Sequence, residues 1–162
     1  FEPQRMMFYA MCGTAALNDI ENLHAHNCAL GSSDGVVMAP KMNYSRPQDF
    51  GLYTLVGKSS DNRESIQLKT IDGFDLPRLD FLKVDVEGME IDVLHGAQRS
   101  TANHRPWCWI EYWKVGVDRI VQHFSPLSYK FFLIDNLNML CAPTDKLIDS
   151  GITVQAEELE IS

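Results

Sequence analysis

The chain has 162 residues, 45% of them hydrophobic, enough to bury one ordinary core, so a single α/β domain spanning 1–162 is the expected organisation. A formal charge of -8 and a sequence pI near 5.0 exclude broad contact with a phosphate backbone, which draws on clustered Lys and Arg, so nucleic acid is not an expected partner. No apolar run approaches the ~20 residues of a membrane span, and no basic stretch followed by an apolar one marks a signal peptide, so the expected location is cytoplasmic.

In chain order, the span from Gln4 to about Leu17 places Met7, Phe8, Met11 and Ala15 at steps of three to four residues. This predicts an amphipathic helix whose Met-rich face fills core. Leu23 to Leu30 reads as a strand ending in Asn27-Cys28-Ala29-Leu30-Gly31. His24 and His26 would share one of its faces, but no third ligand stands nearby, and no metal is assigned there. Ser32 to Gly35 is a turn before a short strand, Val36–Met38. The span 39–62, with Pro40, Pro47, Gly51 and Gly57, reads as a long irregular loop of the kind that lies over a sheet edge. Within it Tyr44 and Tyr53 are candidate ligand contacts. Ser65 to Thr70 alternates and should return on 36–38 as a hairpin. Cys12, Cys28, Cys108 and Cys141 lie far apart without a C-x-x-C and read as reduced core thiols.

The densest chemistry lies in Lys83-Val84-Asp85-Val86-Glu87-Gly88-Met89-Glu90. Preceded by Leu79-Asp80-Phe81-Leu82, it reads as a buried parallel strand that meets a glycine and turns into a helix bearing Met89, Val93, Leu94 and Ala97 on one face. Side chains alternate across a strand, so Lys83, Asp85 and Glu87 should project together at its carboxyl end, where open α/β sheets bind ligands. Trp107 to Trp113 reads as a strand beside it, with Glu111 within reach of Lys83 or Asp85. A helix over 117–124 follows, then two runs, 131–134 and 137–141, that predict an antiparallel hairpin. The span 146–162 is weakly patterned and reads as a solvated acidic tail.

The run Leu79 to Glu90, with Val93-Leu94-His95-Gly96-Ala97 after it, resembles the signature of the FkbM family of S-adenosylmethionine-dependent methyltransferases. Other pieces fall in that family's order: Phe1-Glu2-Pro3, Ala29-Leu30-Gly31 with Asp34-Gly35, Thr70-Ile71-Asp72, and Arg105-Pro106 leading to Glu111. The resemblance covers roughly Phe1 to Glu111. It implies a Rossmann-like class I methyltransferase sheet, mostly parallel with a C-terminal antiparallel hairpin, and S-adenosylmethionine as cofactor. It further implies methyl transfer to a hydroxyl of a sugar, glycolipid or similar small molecule. By the same resemblance Glu2 would accept hydrogen bonds from the cofactor's ribose hydroxyls, and Asn27 and Cys28 would border its adenine. Asp85 is a further candidate cofactor contact. The family's first strand and Gly-rich turn precede its Phe-Glu-Pro motif, and no G-x-G-x-x-G cluster occurs in this chain. An amino-terminally truncated fragment is therefore expected, with a rearranged or dimer-assisted sheet, a homodimer being one outcome.

Methyl transfer from a sulfonium needs in-line approach, exclusion of water and, for an alcohol, a group that receives its proton. Asp85 and Glu111 at adjacent strand ends are the catalytic candidates, with Lys83 as their partner and Glu87, Tyr44 and Tyr53 as acceptor contacts. A hard divalent cation held by these carboxylates ranks below direct orientation of the hydroxyl. Lys83 on a buried strand needs a counter-charge whether or not catalysis occurs. The competing class is a catalytically silent α/β module used for binding or assembly. A nicotinamide-binding fold has less support, because its glycine fingerprint is absent.

Overall fold

The computed structural model describes residues 1–45, 55 and 62–159. Helix α1 (Arg5–Leu17) begins where the Glu2 carboxylate accepts the Gln4 amide at 2.7 Å. Only Ala15 of this helix is buried, and Met6 and Tyr9 are 45% and 56% exposed. The face expected from sequence, Met7, Phe8, Met11 and Ala15, is the sheltered one, with Ala15 buried and the other three half-buried, so it packs inward at partial depth rather than filling core. Met6 and Tyr9 lie off that face, where the apolar run from Met6 to Met11 continues round to solvent.

The strand expected over 23–30 is reduced to β1 (Ala29–Leu30). The preceding residues are held by the amino-terminal segment instead of a sheet: the Glu2 amide donates to the His26 carbonyl at 3.0 Å, and the ring of Phe1 stacks on that of His26 at 5.2 Å. Strand β2 (Gly35–Pro40) runs two residues past the point where the long loop was expected to start. It pairs antiparallel with β3 (Arg63–Lys69), setting Val36 opposite Gln67 and Met38 opposite Ser65, as the predicted hairpin requires. β1 joins the other side of β3 in parallel, giving a three-stranded sheet in the order β1-β3-β2.

The second sheet holds β4 (Phe81–Val84), β5 (Trp107–Glu111), β6 (Tyr129–Leu133), β7 (Asn138–Pro143) and β8 (Glu157–Glu158), in the order β4-β5-β7-β6-β8. β4 and β5 are parallel, as expected, and β6 and β7 form the expected antiparallel hairpin. The class is α/β with the Rossmann-like character anticipated, but parallel pairing is confined to β1–β3 and β4–β5 among the described strands. Of the antiparallel pairs, β2–β3 and β6–β7 join consecutive strands, whereas β5–β7 and β6–β8 bring together strands separated by other elements of the chain. β4, read from sequence as a buried strand, is the edge of its sheet; only Val84 is buried and Phe81 is 55% exposed. Its apolar run reflects packing of one face on the core.

Helices α2 (Glu90–His95) and α4 (Val117–Phe124) pack on this sheet, while α3 (Gln98–His104) is tied to the short turn at Asp72–Phe74. Val93, Leu94, Ile120 and Phe124 from α2 and α4 join Val84, Cys108, Ile110, Phe131, Met139 and Cys141 in the main core. All four cysteines are free thiols, with Cys12 half-buried and the others buried. The segment expected to be an unstructured tail carries α5 (Thr144–Ser150) and β8. Tertiary partners order it: Asp145 pairs with Arg105 at 2.7 Å, Glu158 pairs with Lys130 at 2.6 Å, and Leu159 packs on the core. Among the described residues no helix is long and apolar enough to cross a membrane.

One close approach ties the two sheets together. A Cβ at Gly96, just past α2, would stand 2.0 Å from the carbonyl oxygen of Gly31, just past β1. The Gly96 carbonyl in turn accepts the Asp72 amide at 2.8 Å. Only a residue without a side chain fits between these backbones.

Candidate active site

The register of β4 on β5 sets Lys83 opposite Trp109 and Val84 opposite Ile110. Carried one step further, it brings Asp85 beside Glu111 at the carboxyl ends of both strands. Lys83 Nζ donates to Asp85 Oδ2 at 2.7 Å, with both side chains well exposed (58% and 41%); such a pair contributes only about 0–1 kcal/mol to stability. After Asp85 the backbone turns left-handed, with φ of 60° at Glu87 and 105° at Gly88. Gly88 adopts this freely, whereas a side chain in that region costs roughly 1–2 kcal/mol, so Glu87 is held there by its surroundings. Its carboxylate pairs with Lys114, which follows β5 and also lies 4.7 Å from the ring centroid of Trp113.

Asp85, Glu87 and Glu111 therefore converge: each offers a carboxylate oxygen, and these atoms lie within 4.8 Å of one another. Burial, and then the neighbouring Asp85 charge, push the Glu111 carboxyl above the usual carboxylate range, against the opposing pull of the Trp113 side chain and Lys83. Glu111 Oε2 is buried without a hydrogen bond among the described residues. Such a set can orient and deprotonate a hydroxyl, or hold a hard divalent cation.

Asp85 and Glu87 open onto a cleft of about 270 Å³. One wall comes from Phe1, Glu2 and Pro3 with Cys28 and the two residues of β1, and the other from Lys83, Asp85 to Glu87 and Met89. The cleft thus lies where the carboxyl ends of β1 and β4 face each other. One Glu2 oxygen is engaged by the Gln4 amide, which fixes the carboxylate on the wall. Burial raises the pKa of the Cys28 thiol, so it presents an uncharged, polarisable surface.

Of the residues selected from sequence, Glu2, Cys28, Lys83, Asp85 and Glu87 line this cleft. Glu111 stands behind Asp85 and Glu87 rather than on the wall. Asn27 is exposed and points away: its Nδ2 donates to the carbonyls of Glu2 (2.8 Å) and Pro3 (3.3 Å), steadying the wall without facing a ligand in the cleft. Tyr44 lies near Glu64, Glu2 and Arg5 at the start of α1, off the cleft. Tyr53 falls outside the described residues. Sequence reasoning missed Lys114, Met89 and Glu90. For Lys114 a signal existed, since it follows Glu111 by three residues and must emerge at the same sheet end.

The model of the Methyltransferase FkbM domain matches residues 1–137 of this chain. The fold is similar to the crystal structure of Methyltransferase FkbM from Methylobacillus flagellatus KT, with a TM-score of 0.62 and 18% identity over 86% of this chain and 35% of that one. This chain therefore spans about a third of the length of that protein. No curated protein matches it. Both walls of the cleft and the Asp85–Glu111 pair lie inside the matched region, and the chain belongs to the FkbM methyltransferase family.

Proposed function

We propose that this chain provides the cofactor and acceptor face of an S-adenosylmethionine-dependent O-methyltransferase acting on a hydroxyl of a sugar, glycolipid or similar small molecule. The observation that carries the reading is the convergence of Asp85, Glu87 and Glu111 within 4.8 Å at the edge of a cleft whose opposite wall bears Glu2. The donor set fits the cofactor: the Glu2 carboxylate suits a vicinal diol, Asp85 suits an ammonium group, and Cys28, Leu30 and Met89 offer apolar surface to a base. When bound, the cofactor supplies a methyl group on a sulfonium. Asp85, on the cleft wall, orients the acceptor hydroxyl, and Glu111, within 4.8 Å behind it and with its pKa raised by burial and by the Asp85 charge, takes up the proton by way of Asp85. Lys83 and Lys114 balance the remaining negative charge, which favours orientation by carboxylates alone over a bound cation.

Calorimetric titration with S-adenosylhomocysteine tests this. Micromolar binding that is lost in Glu2→Ala is expected, while binding unaffected by that change removes Glu2 from the site. One observation favours the competing reading of a silent assembly module: β4 lies at the edge of its sheet with Phe81 55% exposed, a strand able to pair with a second copy of the chain. No binding of the probe, together with a dimer in sedimentation, would favour that module.

A further inference from the structure

The turn that aims Asp85 and Glu87 at the cleft is held from beneath by Glu90. This residue opens α2 and is completely buried. Its Oε1 accepts the backbone N–H of Gly88 at 3.0 Å and of Val86 at 3.3 Å. Neither amide belongs to the β4–β5 ladder, whose last pair is Val84 with Ile110. Between the two amides sits Glu87, left-handed at φ 60°. A buried carboxylate needs hydrogen bonds, and a non-glycine residue in that conformation needs to be held there. The Glu90 carboxylate and the turn meet both needs at once. Helix capping does not describe the contact, because a cap satisfies the first N–H groups of its own helix, whereas both donors here lie upstream of α2. Glu90 Oε2 makes no hydrogen bond among the described residues, so the recorded hydrogen bonds of this side chain are all directed to the turn.

We propose that Glu90 is a positioning residue of this site: its carboxylate fixes the left-handed turn at Glu87 and Gly88, and with it the direction in which Asp85 and Glu87 face the cleft. The proposal rests on reading the cleft as the cofactor and acceptor site. Glu90 touches no ligand itself and acts through the two carboxylates.

Two variants of similar volume separate the clamp from mere filling of space. Glu90→Gln keeps an acceptor oxygen, and Glu90→Leu does not. In deuterium exchange followed by NMR, the Val86 and Gly88 amides are expected to exchange slowly in the wild type and in Glu90→Gln, and at least about tenfold faster in Glu90→Leu. The dissociation constant for S-adenosylhomocysteine should stay within about threefold in Glu90→Gln and weaken at least about tenfold in Glu90→Leu. Gly88→Ala strains the same turn without touching Glu90, since a Cβ at φ 105° is unfavourable although its space is open apart from Lys114 at 3.8 Å; it should reproduce the weakened binding, and it decides the matter if Glu90→Leu does not fold. Fast exchange of the two amides in the wild type, slow exchange in Glu90→Leu, or equal affinity in the Gln and Leu variants would overturn the proposal. If the wild type binds no S-adenosylhomocysteine, the cofactor reading fails, and amide exchange alone decides whether the clamp exists.

Discussion

Lys114 and Glu87 form an ion pair in which the two side chains retain only 23% and 13% exposure, in contrast to the open pair of Lys83 with Asp85 beside it. Removing Lys114 leaves a largely buried carboxylate next to Asp85 and Glu111. Lys114→Met should therefore destabilise the protein by about 2–3 kcal/mol, whereas Lys83→Met should change stability by less than about 1 kcal/mol. Urea unfolding of both variants checks the contrast, and equal effects would show that the Glu87 pair is no more sheltered than its neighbour.

A methyl group at Gly96 meets backbone rather than a movable side chain, the carbonyl of Gly31 at 2.0 Å. The loop after β1 must shift away from α2 to admit it. Gly96→Ala is expected to cost about 3 kcal/mol and, by moving β1 and Cys28, to weaken S-adenosylhomocysteine binding. Gly13→Ala, with nothing within 4 Å of its added Cβ, is the control and should be neutral or stabilising by about 0.5–1 kcal/mol. Thermal melts of the two variants distinguish them.

The contrast between what the residues announce and what they conceal has a physical basis. Lys83, Asp85 and Glu111 were legible because two strands of alternating side chains both end in carboxylates, and a parallel register brings such ends together. Helix α4 was legible to the residue, since Ile120 and Phe124 on one side are buried while its other face is charged. Glu90 was not legible, because nothing local says that a glutamate at a helix start will be buried; that follows from a left-handed turn at Glu87, where a non-glycine residue is not anticipated. The strand at 23–30 was overdrawn because its extended residues find partners in Phe1 and Glu2 instead of a ladder. Helix α5 and β8 escaped notice since Arg105 and Lys130, distant in sequence, supply the contacts that order them.

Asp72 sits in the short turn 72–74 and reaches across to the start of α3, where its carboxylate accepts the amides of Arg99 (2.8 Å) and Ser100 (2.7 Å) and the Ser100 hydroxyl (2.7 Å). Burial alone would raise its pKa, but these hydrogen bonds outweigh burial and hold it below the usual range. A carboxyl depressed on folding contributes stability that is complete above its unfolded pKa of about 3.9 and is lost as pH falls through the folded value. Asp72→Ala should cost about 1–2 kcal/mol at neutral pH, and that difference should shrink below about pH 4. Denaturation measured at pH 7 and pH 3 checks it; a difference independent of pH would mean the carboxylate charge plays no part.

Glu111 behaves in the opposite sense, which gives the most discriminating prediction. Its carboxyl is raised by burial and by the Asp85 charge, so the folded state holds this proton more tightly than the unfolded chain does. Stability contributed by the protonated form is present at low pH and lost as pH rises through the window from the ordinary carboxylate pKa to the raised one. Glu111→Gln carries no such charge. The variant should match the wild type at acid pH and exceed it in melting temperature at neutral pH. If Glu111 receives the acceptor's proton, the same change should lower turnover by about 10²- to 10⁴-fold in an active protein of this family. Gain of stability with loss of turnover is the mark of a residue kept for chemistry at the expense of the fold. A variant that loses stability at neutral pH would instead make Glu111 part of the scaffold and leave Asp85 to orient the hydroxyl alone.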